Sequence, residues 1–184
     1  MKKNIGTVNA LYPMPTILAG ALVEGKPNYL AIGHVGIFTH QTVSLGINKA
    51  HYTNQGIKEN KTFSVCIPSE DMIEVTDYCG LVSGSKEDKS KVFDVFYGKL
   101  KTAPMITKCP VNLECSLDKV IDNASNEMFI GDILSTYTEK KYLTDEAVNI
   151  KKARPFILSL NDRQYYGLNE PIAKAWAAGK NYKP

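Results

Sequence analysis

Apolar and polar residues alternate along three short segments of the chain, residues 42–48, 62–67 and 111–117. In the first of these segments the apolar positions are Val43, Leu45 and Ile47. Because successive side chains of a β-strand point to opposite faces, a period of two residues is typical of strands with one buried face. The pattern therefore predicts three half-buried strands.

Longer apolar runs predict four further strands, at residues 16–23, 29–37, 128–138 and 155–160. The run TILAGALV at 16–23 lies between a proline and the turn-forming sequence EGKPN, as expected for a buried strand followed by a turn. Glycine inside a strand often marks a bulge, and we expect one at Gly131. The chain is thus predicted to contain about seven short strands.

Helices are predicted to be few and short. Ser69 precedes two acidic residues and provides a plausible helix start, and a short helical tail with Trp176 is expected at 172–178. Strands do not alternate with long helices, which disfavours a parallel doubly wound sheet. We expect a mainly β protein, a closed or nearly closed antiparallel barrel, formed by one domain over residues 1–184.

Composition excludes several classes of protein. Of the 184 residues 43% are hydrophobic and 22% are charged, and the net charge of +3 implies no general attraction to nucleic acid or membranes. No apolar run is long enough to span a bilayer, and the N-terminus does not resemble a signal peptide. The four cysteines lack metal-type spacing and are expected to be free, buried thiols in the cytoplasm.

Residues 28–57 carry most of the candidate chemistry. Gly33 and Gly36 accompany a predicted strand, where glycine often permits close approach of a ligand. The loop that follows offers a cation, an imidazole, hydroxyls and an amide ahead of a short helical pattern, which suits a phosphate. This combination predicts a pocket with a flat, backbone-lined part and a phosphate-holding end.

Several side chains leave alternatives open. His34 is either a packing residue in its strand or a direct ligand contact, His40 is expected at the surface, and His51 is the most promising of the three histidines. No serine-hydrolase, zinc-protease or nucleotide-binding motif occurs, so no residue is assigned as catalytic. Lys86 is either a solvated loop residue or a phosphate ligand, and the pair Tyr165–Tyr166 is either core or aromatic cover over a flat ligand.

A series of motifs in order resembles a known family. The specific runs are H-Y-T-N-x-x-I from His51 and D-Y-C-G-L-V-S-G from Asp77, followed by F-I-G-D-I and a late Tyr-Tyr-Gly. With the Tyr-Pro-x-Pro start at Tyr12, the sequence is similar to the flavin reductase-like, FMN-binding split-barrel family, and within it to the flavoredoxin branch.

The resemblance implies a six-stranded antiparallel Greek-key split barrel with small helices, present as a homodimer with FMN near the subunit interface. The flat ring of the FMN would face Asn28 and the strand Ala31, Ile32, Gly33, His34, Val35 and Gly36, where relatives commonly carry tryptophan at the position of His34. The phosphate would be held by Lys49, His51, Thr53, Asn54, Ser83, Lys86 and Lys89. Asn126, Met128 and Tyr166 would approach the ring from later segments.

The expected function is that of a flavoprotein oxidoreductase that moves electrons between flavin and a donor, which is NADH, NADPH or a redox protein. Two alternatives remain at this point: a flavin carrier without turnover of a nicotinamide, and a barrel that binds partners without a cofactor. Cys79 is either a redox thiol or a buried structural residue.

Overall fold

A computed structural model gives the structure of the protein and describes residues 1–180 and 182. Fourteen strands occur in these residues: β1 (Met14–Pro15), β2 (Ile17–Val23), β3 (Lys26–Ile32), β4 (Val35–Thr39), β5 (Thr42–Asn48), β6 (Thr62–Ile67), β7 (Val95–Phe96), β8 (Met105–Ile106), β9 (Val111–Asn123), β10 (Asn126–Thr138), β11 (Leu143–Thr144), β12 (Ala147–Val148), β13 (Phe156–Ser159) and β14 (Gln164–Gly167). The helices are α1 (Thr53–Asn60), α2 (Ile73–Leu81), α3 (Ile150–Ala153) and two 3-10 turns, Glu70–Met72 and Lys140–Tyr142. None of the helices described is both long and apolar enough to cross a membrane.

One antiparallel sheet of seven strands dominates the molecule, in the order β3-β2-β6-β9-β10-β5-β4. The expectation of a mainly β, antiparallel protein with a few short helices is confirmed. The expected six-stranded barrel is not confirmed. Among the described residues the main sheet has seven strands, and its two edge strands, β3 and β4, are not paired with each other. A small ribbon, β1-β13-β14, packs beside the sheet.

The sheet curls so strongly that its two edges meet at a corner. The edge strands β3 and β4 are consecutive in the chain and are joined only by Gly33 and His34. Buried apolar residues from the edge strands and from the centre of the sheet also pack into one cluster, which includes Leu30, Val35 and Phe63. The sheet therefore wraps around a single core and leaves an open seam between its edges.

The run 29–37, predicted as one strand, is in fact divided between the two edges. Its first part belongs to β3 and pairs with β2, whereas its second part belongs to β4 and pairs with β5. Gly33 and His34 interrupt the apolar run at this break, but apolar residues on both sides of them allow one continuous strand equally well. The break at Gly33 and His34 is what carries the chain across the seam.

The strand with the clearest alternation behaves as predicted. Val43, Leu45 and Ile47 of β5 are buried in the core, and the residues between them are more exposed. The strand β6 differs, since both of its faces are buried. Its second face contributes Cys66 to a smaller apolar cluster under α2, which also contains Tyr29.

Three other local predictions have different outcomes. The irregularity expected at Gly131 is confirmed, although the extra residue lies opposite it in β9, at Asp118. Ser69 begins the 3-10 turn that leads into α2, but its hydroxyl donates to the Asp71 carboxylate and accepts no capping hydrogen bond from an amide N–H of the turn. The helical tail predicted at 172–178 is wrong, because these residues form turns.

Candidate functional site

A slot lies in the open seam of the sheet, between the end of β3 and the facing ends of β5 and β10. Its walls are Ala31, Ile32, Gly33, His34, Gly46, Ile47, Asn48, His51 and Asn126. The slot thus contains the strand that the sequence marked as a close-approach segment. Of the predicted segment 31–36, the residues up to His34 line the slot. Val35 points into the core, and Gly36 of β4 pairs with Ser44 of β5.

The free edge of β3 supplies backbone hydrogen-bonding groups to this slot. In a strand, the N–H and C=O of one residue point to the same edge, and alternate residues point to opposite edges. The Tyr29 carbonyl oxygen accepts a hydrogen bond from Lys89 Nζ at 2.9 Å, so this residue faces away from β2. Ala31 shares its register and therefore directs a donor and an acceptor toward the seam. Gly33 lines the slot just beyond the last residue of β3.

His34 lies at the rim of the slot. Its Nε2 is 2.9 Å from the Tyr12 hydroxyl, a hydrogen-bond distance. A Cβ atom added at Gly46 would lie 3.3 Å from the His34 Cβ, so the absence of a side chain at Gly46 leaves room for the imidazole. The imidazole thus forms a side wall of the slot and is fixed there by Tyr12.

The turn before α1 connects the slot to a second groove. His51 lines the slot, and the next residue, Tyr52, lines the groove formed with the 84–89 loop. Burial, and after it the charge of Lys89, lowers the pKa of His51 below its ordinary value. The imidazole is therefore held in its neutral form at neutral pH and lies within electrostatic reach of Lys89.

Thr53 and Asn54 organise this turn from inside the protein. The Asn28 side-chain amide donates to the Thr53 hydroxyl at 2.7 Å, and both residues are buried. The Asn54 amide donates to the Asn48 carbonyl at 3.1 Å and to the Glu127 carboxylate at 2.9 Å. The side chains expected to hold a phosphate directly are thus engaged in shaping the turn.

The 83–89 loop closes against the same turn. A Cβ atom at Gly84 would overlap the Asn28 side chain and would lie 2.9 Å from the Tyr52 ring. The groove between them is lined by Val23, Glu24, Lys26, Pro27, Asn28, Tyr52, Gly84, Ser85, Lys86, Glu87, Asp88 and Lys89. The two loops, which are some thirty residues apart in sequence, therefore converge on Asn28.

Lys89 is buried, and its ammonium is hydrogen-bonded to backbone carbonyls and not exposed to solvent. Only 3% of the residue is exposed, and its ammonium donates to the carbonyl oxygens of Tyr29 at 2.9 Å and Cys79 at 2.8 Å. Burial lowers the pKa of this ammonium, and the Cys79 thiol opposes that effect more weakly. The sequence suggested that Lys89 binds a phosphate. In the structure its ammonium is instead hydrogen-bonded to two backbone carbonyls and links β3 to the end of α2.

Lys86 is the exposed cation of the groove. Other lysines near the two loops are paired with carboxylates: Lys26 with Asp88, Lys49 with Asp122 and Lys58 with Glu127. No such partner of Lys86 occurs in the part of the chain that the structure describes. The Ser83 and Ser85 hydroxyls lie beside it, 2.9 Å from each other, so a cation and two hydroxyls share one loop.

The remaining predicted residues are divided between the site and other surfaces. Asn126 lines the slot. Met128 lies two residues further along β10, on the outer face of the sheet, and pairs with Gly46. Tyr166 is not brought to the slot of its own chain. Leu158 approaches Gly33 from one face of the β13–β14 ribbon, and Tyr166 lies on the other face, where it pairs with Ile157.

Sequence reasoning missed several residues that the structure places at the site, among them Gly46, Asn48, Tyr52 and Ser85. Gly46 and Asn48 reach the slot through the register of β5 with β10, which pairs Asn48 with Asn126. No local pattern encodes that register. Tyr52 was part of a recognised motif, and its position between His51 and Thr53 was the only available signal.

Cys79 does not have the features of a reactive thiol. The residue is fully buried, and burial raises the pKa of its thiol to about 11 even though Lys89 opposes the change. Thiols react as thiolates, so Cys79 is protonated and shielded at neutral pH. The structural alternative given above is therefore the one that its surroundings support.

The chain belongs to the flavin reductase-like domain family, whose model matches residues 9–168. The resemblance inferred from the sequence motifs is confirmed. Among solved structures, flavoredoxin from Methanosarcina acetivorans is 43% identical with a TM-score of 0.95, and the match covers 98% of both chains.

Two further relatives are similar over most of the chain. Flavoredoxin of Desulfovibrio vulgaris (Miyazaki F) is 33% identical with a TM-score of 0.90, covering 98% of this chain and 100% of that one. An uncharacterized protein of Archaeoglobus fulgidus is 31% identical over 134 residues, which are 71% of this chain and 75% of the relative.

The buried ammonium of Lys89 leads to a prediction about stability. Replacing Lys89 with Met leaves two buried carbonyl oxygens without their donor, so we expect a loss of about 1–3 kcal/mol in the free energy of unfolding. The exposed control Lys86→Met should change it by less than about 0.5 kcal/mol. Urea denaturation measures both, and equal midpoints for the two variants would contradict the role of Lys89.

Proposed function

We propose that the protein is a single-domain, FMN-binding oxidoreductase that transfers electrons between a donor and its flavin, and that it works as a homodimer. The observation that carries this proposal is the proximity of two concave sites. A flat slot, lined by the free edge of β3 at Ala31 and by Gly33 just beyond it, meets a groove with an exposed lysine, Lys86, at the turn of His51 and Tyr52. The open seam of the curled sheet supports the split-barrel description as well.

The slot suits the ring system of a flavin. The pyrimidine edge of an isoalloxazine carries alternating donors and acceptors, and the free edge of β3 offers backbone groups of both kinds at Ala31. Gly33 and Gly46 present no side chains, which lets a planar group lie close to the backbone. Asn126 and His34 are then positioned at the borders of the ring.

The groove suits one terminal phosphate. Lys86 provides a charge and Ser85 a hydroxyl donor at the end of the groove, and charge-assisted hydrogen bonds are about twice as strong as neutral ones. Of the three carboxylates that also line the groove, Glu24, Glu87 and Asp88, the last is paired with Lys26. His51 lies between slot and groove and, as a neutral imidazole, can still donate one hydrogen bond from its ring. One exposed lysine with neighbouring hydroxyls favours FMN over the longer dinucleotide FAD.

The protein has to position the flavin and control its surroundings. Bound FMN supplies the electron-transfer chemistry, and for that chemistry the protein provides orientation, solvent exclusion and electrostatics. Ala31 and Gly33 fix the plane of the ring, Lys86 fixes the phosphate, and Lys89 keeps the β3 edge in place. No acid or base is assigned, in agreement with the buried, protonated state of Cys79.

The exposed surface supports a homodimer. The chain exposes 11,869 Å² at a mass of 20.4 kDa, whereas a folded monomer of this mass typically exposes about 8,800 Å². The surplus is roughly 3,000 Å² per chain, or about 6,000 Å² for two chains, which lies at the upper end of the total area that obligate dimers bury. An apolar pair, Ile121 and Met128, is exposed directly beside the slot and would belong to such an interface.

The electron donor is either a nicotinamide or a redox protein. The similarity to two proteins named flavoredoxin favours electron transfer with a redox protein, and the family name favours reduction by a nicotinamide. We also propose a cytoplasmic location, which the four free, buried thiols support because a reducing compartment keeps them unpaired.

The function is tested with the purified protein and added FMN. We expect a bound flavin with altered absorbance and quenched fluorescence, and bleaching by NADH or NADPH in stopped-flow mixing if a nicotinamide is the donor. Bound flavin that neither nicotinamide bleaches would assign the donor to a redox protein. A failure to bind FMN or FAD at all would contradict the proposal and favour a cofactor-free binding protein.

The phosphate assignment is tested by comparing FMN with riboflavin. Lys86→Met should weaken FMN by about 1.5–3 kcal/mol, the value of one charged hydrogen bond, and should leave riboflavin unchanged. Lys91→Met removes an exposed lysine outside the groove and serves as the matched control. If isothermal titration shows equal losses for both ligands, Lys86 does not contact the phosphate.

A further inference from the structure

The N-terminal arm, residues 1–11, lies free of the rest of the chain. Every residue of the arm is exposed. It nevertheless carries three large apolar side chains, Ile5, Val8 and Leu11, which are 65%, 52% and 77% exposed. Its hydrogen bonds in the described structure are local ones, for example from the Gly6 amide to the Asn4 side chain at 2.9 Å. An apolar segment of this kind is expected to be covered in the working assembly.

The arm starts at the candidate flavin slot. Its C-terminal end is Leu11, and the next residue, Tyr12, is hydrogen-bonded to His34 on the slot rim at 2.9 Å. The ribbon strand β1 then follows at Met14. The arm therefore leaves the molecule from the border of the slot, and eleven extended residues can reach about 36 Å from it.

An exposed apolar pair lies beside the slot, whose own rim carries polar side chains at His34, Asn48, His51 and Asn126. Met128 and Ile121 are direct cross-strand partners in β10 and β9 and are 42% and 43% exposed. Gly46, the other neighbour of Met128, adds no side chain to cover it. This slot face, defined by Met128, Ile121 and the slot rim, is thus able to accept apolar side chains from outside.

A two-fold symmetric dimer brings the same surface patch of both subunits together. If that patch is the slot face, an arm that leaves from its border faces the slot face of the second copy. The surplus of roughly 3,000 Å² in exposed area agrees with such an arrangement, since extended arms expose much surface in the isolated chain and hide it in the dimer.

We propose that the N-terminal arm of each subunit lies across the slot face of the other, with Ile5, Val8 and Leu11 packed near Met128 and Ile121. The arm of one copy then closes the flavin slot of its partner and shields the ring from water. This inference rests on the proposed flavin-binding homodimer and adds the segment that completes the site in trans.

The C-terminal segment provides a matched comparison. Residues 168–180 also expose large apolar side chains, with Ile172 and Trp176 almost fully exposed. This segment follows β14, where Gly167 lies against Glu70 and away from the slot. The C-terminal segment is as exposed as the N-terminal arm, but it does not start at the slot. Substitutions in it therefore control for the general effect of removing exposed apolar side chains.

The first experiment compares two multiple variants of the full chain. Ile5→Ser, Val8→Ser and Leu11→Ser together should weaken FMN binding at least ten-fold and raise the dimer dissociation constant at least ten-fold, measured by titration and sedimentation. Ile172→Ser with Trp176→Ser should leave both within two-fold. Equal effects of the two sets, or no effect of the arm set, would overturn the proposal.

The second experiment asks whether the arm acts on its own subunit or on the partner. A subunit with the triple arm substitution is co-expressed with one that keeps its arm but has Asn126→Trp filling its slot, and the mixed dimer is isolated with two tags. We expect one FMN site per mixed dimer with the affinity of the unsubstituted protein. An affinity as weak as that of the arm variant alone would show that the arm acts within its own subunit.

The outcomes also separate this inference from the proposed function. If the unsubstituted protein binds no flavin, the flavin-binding function fails, and sedimentation of the arm variant still decides whether the arm holds the dimer. If the unsubstituted protein binds FMN and the arm variant binds it equally well, the function stands and the placement of the arm is overturned.

Discussion

The free edge of β3 is the constraint on which the rest of the site depends. A strand edge with unpaired N–H and C=O groups is a liability in most proteins, because it can pair with other chains. Here the chain leaves β3 at Gly33 and crosses at once to the opposite edge of the sheet, and no later strand among the described residues pairs with β3. The edge remains open but lies inside a seam, where a flat ligand can use it.

Two groups hold that edge in position. Asn28 is hydrogen-bonded to Thr53 at 2.7 Å, which couples β3 to the start of α1. The buried ammonium of Lys89 joins the Tyr29 carbonyl to the Cys79 carbonyl of α2. The binding surface is therefore built from backbone, and the buried polar side chains around it act as supports.

The sequence predicted those parts of the fold that local patterns determine. The alternation at 42–48 specified both the strand β5 and its buried face, since a period of two residues has one structural meaning. The division of 29–37 into two edge strands could not be predicted, because it depends on how the sheet curls. The motif order identified the family, and that result came from the specific runs at His51 and Asp77 and not from composition.

The candidate site was predicted in outline, and its chemistry was assigned less accurately. Both loops were recognised, and they converge, but a sequence does not show which lysine of a loop is buried. Lys86 and Lys89 are three residues apart and look equivalent in the chain. Tertiary packing places one in solvent and the other against two carbonyl oxygens, so their roles could be told apart only from burial and hydrogen-bond partners.

The central claim is that a flavin ring pairs with the open edge of β3. Amide hydrogen exchange measured by NMR at Ala31 and Gly33, with and without FMN, tests it most directly. The account predicts fast exchange at both amides in the free protein and strong protection when FMN is bound. Bound FMN that leaves both amides exchanging fast, while protecting amides elsewhere, would contradict it.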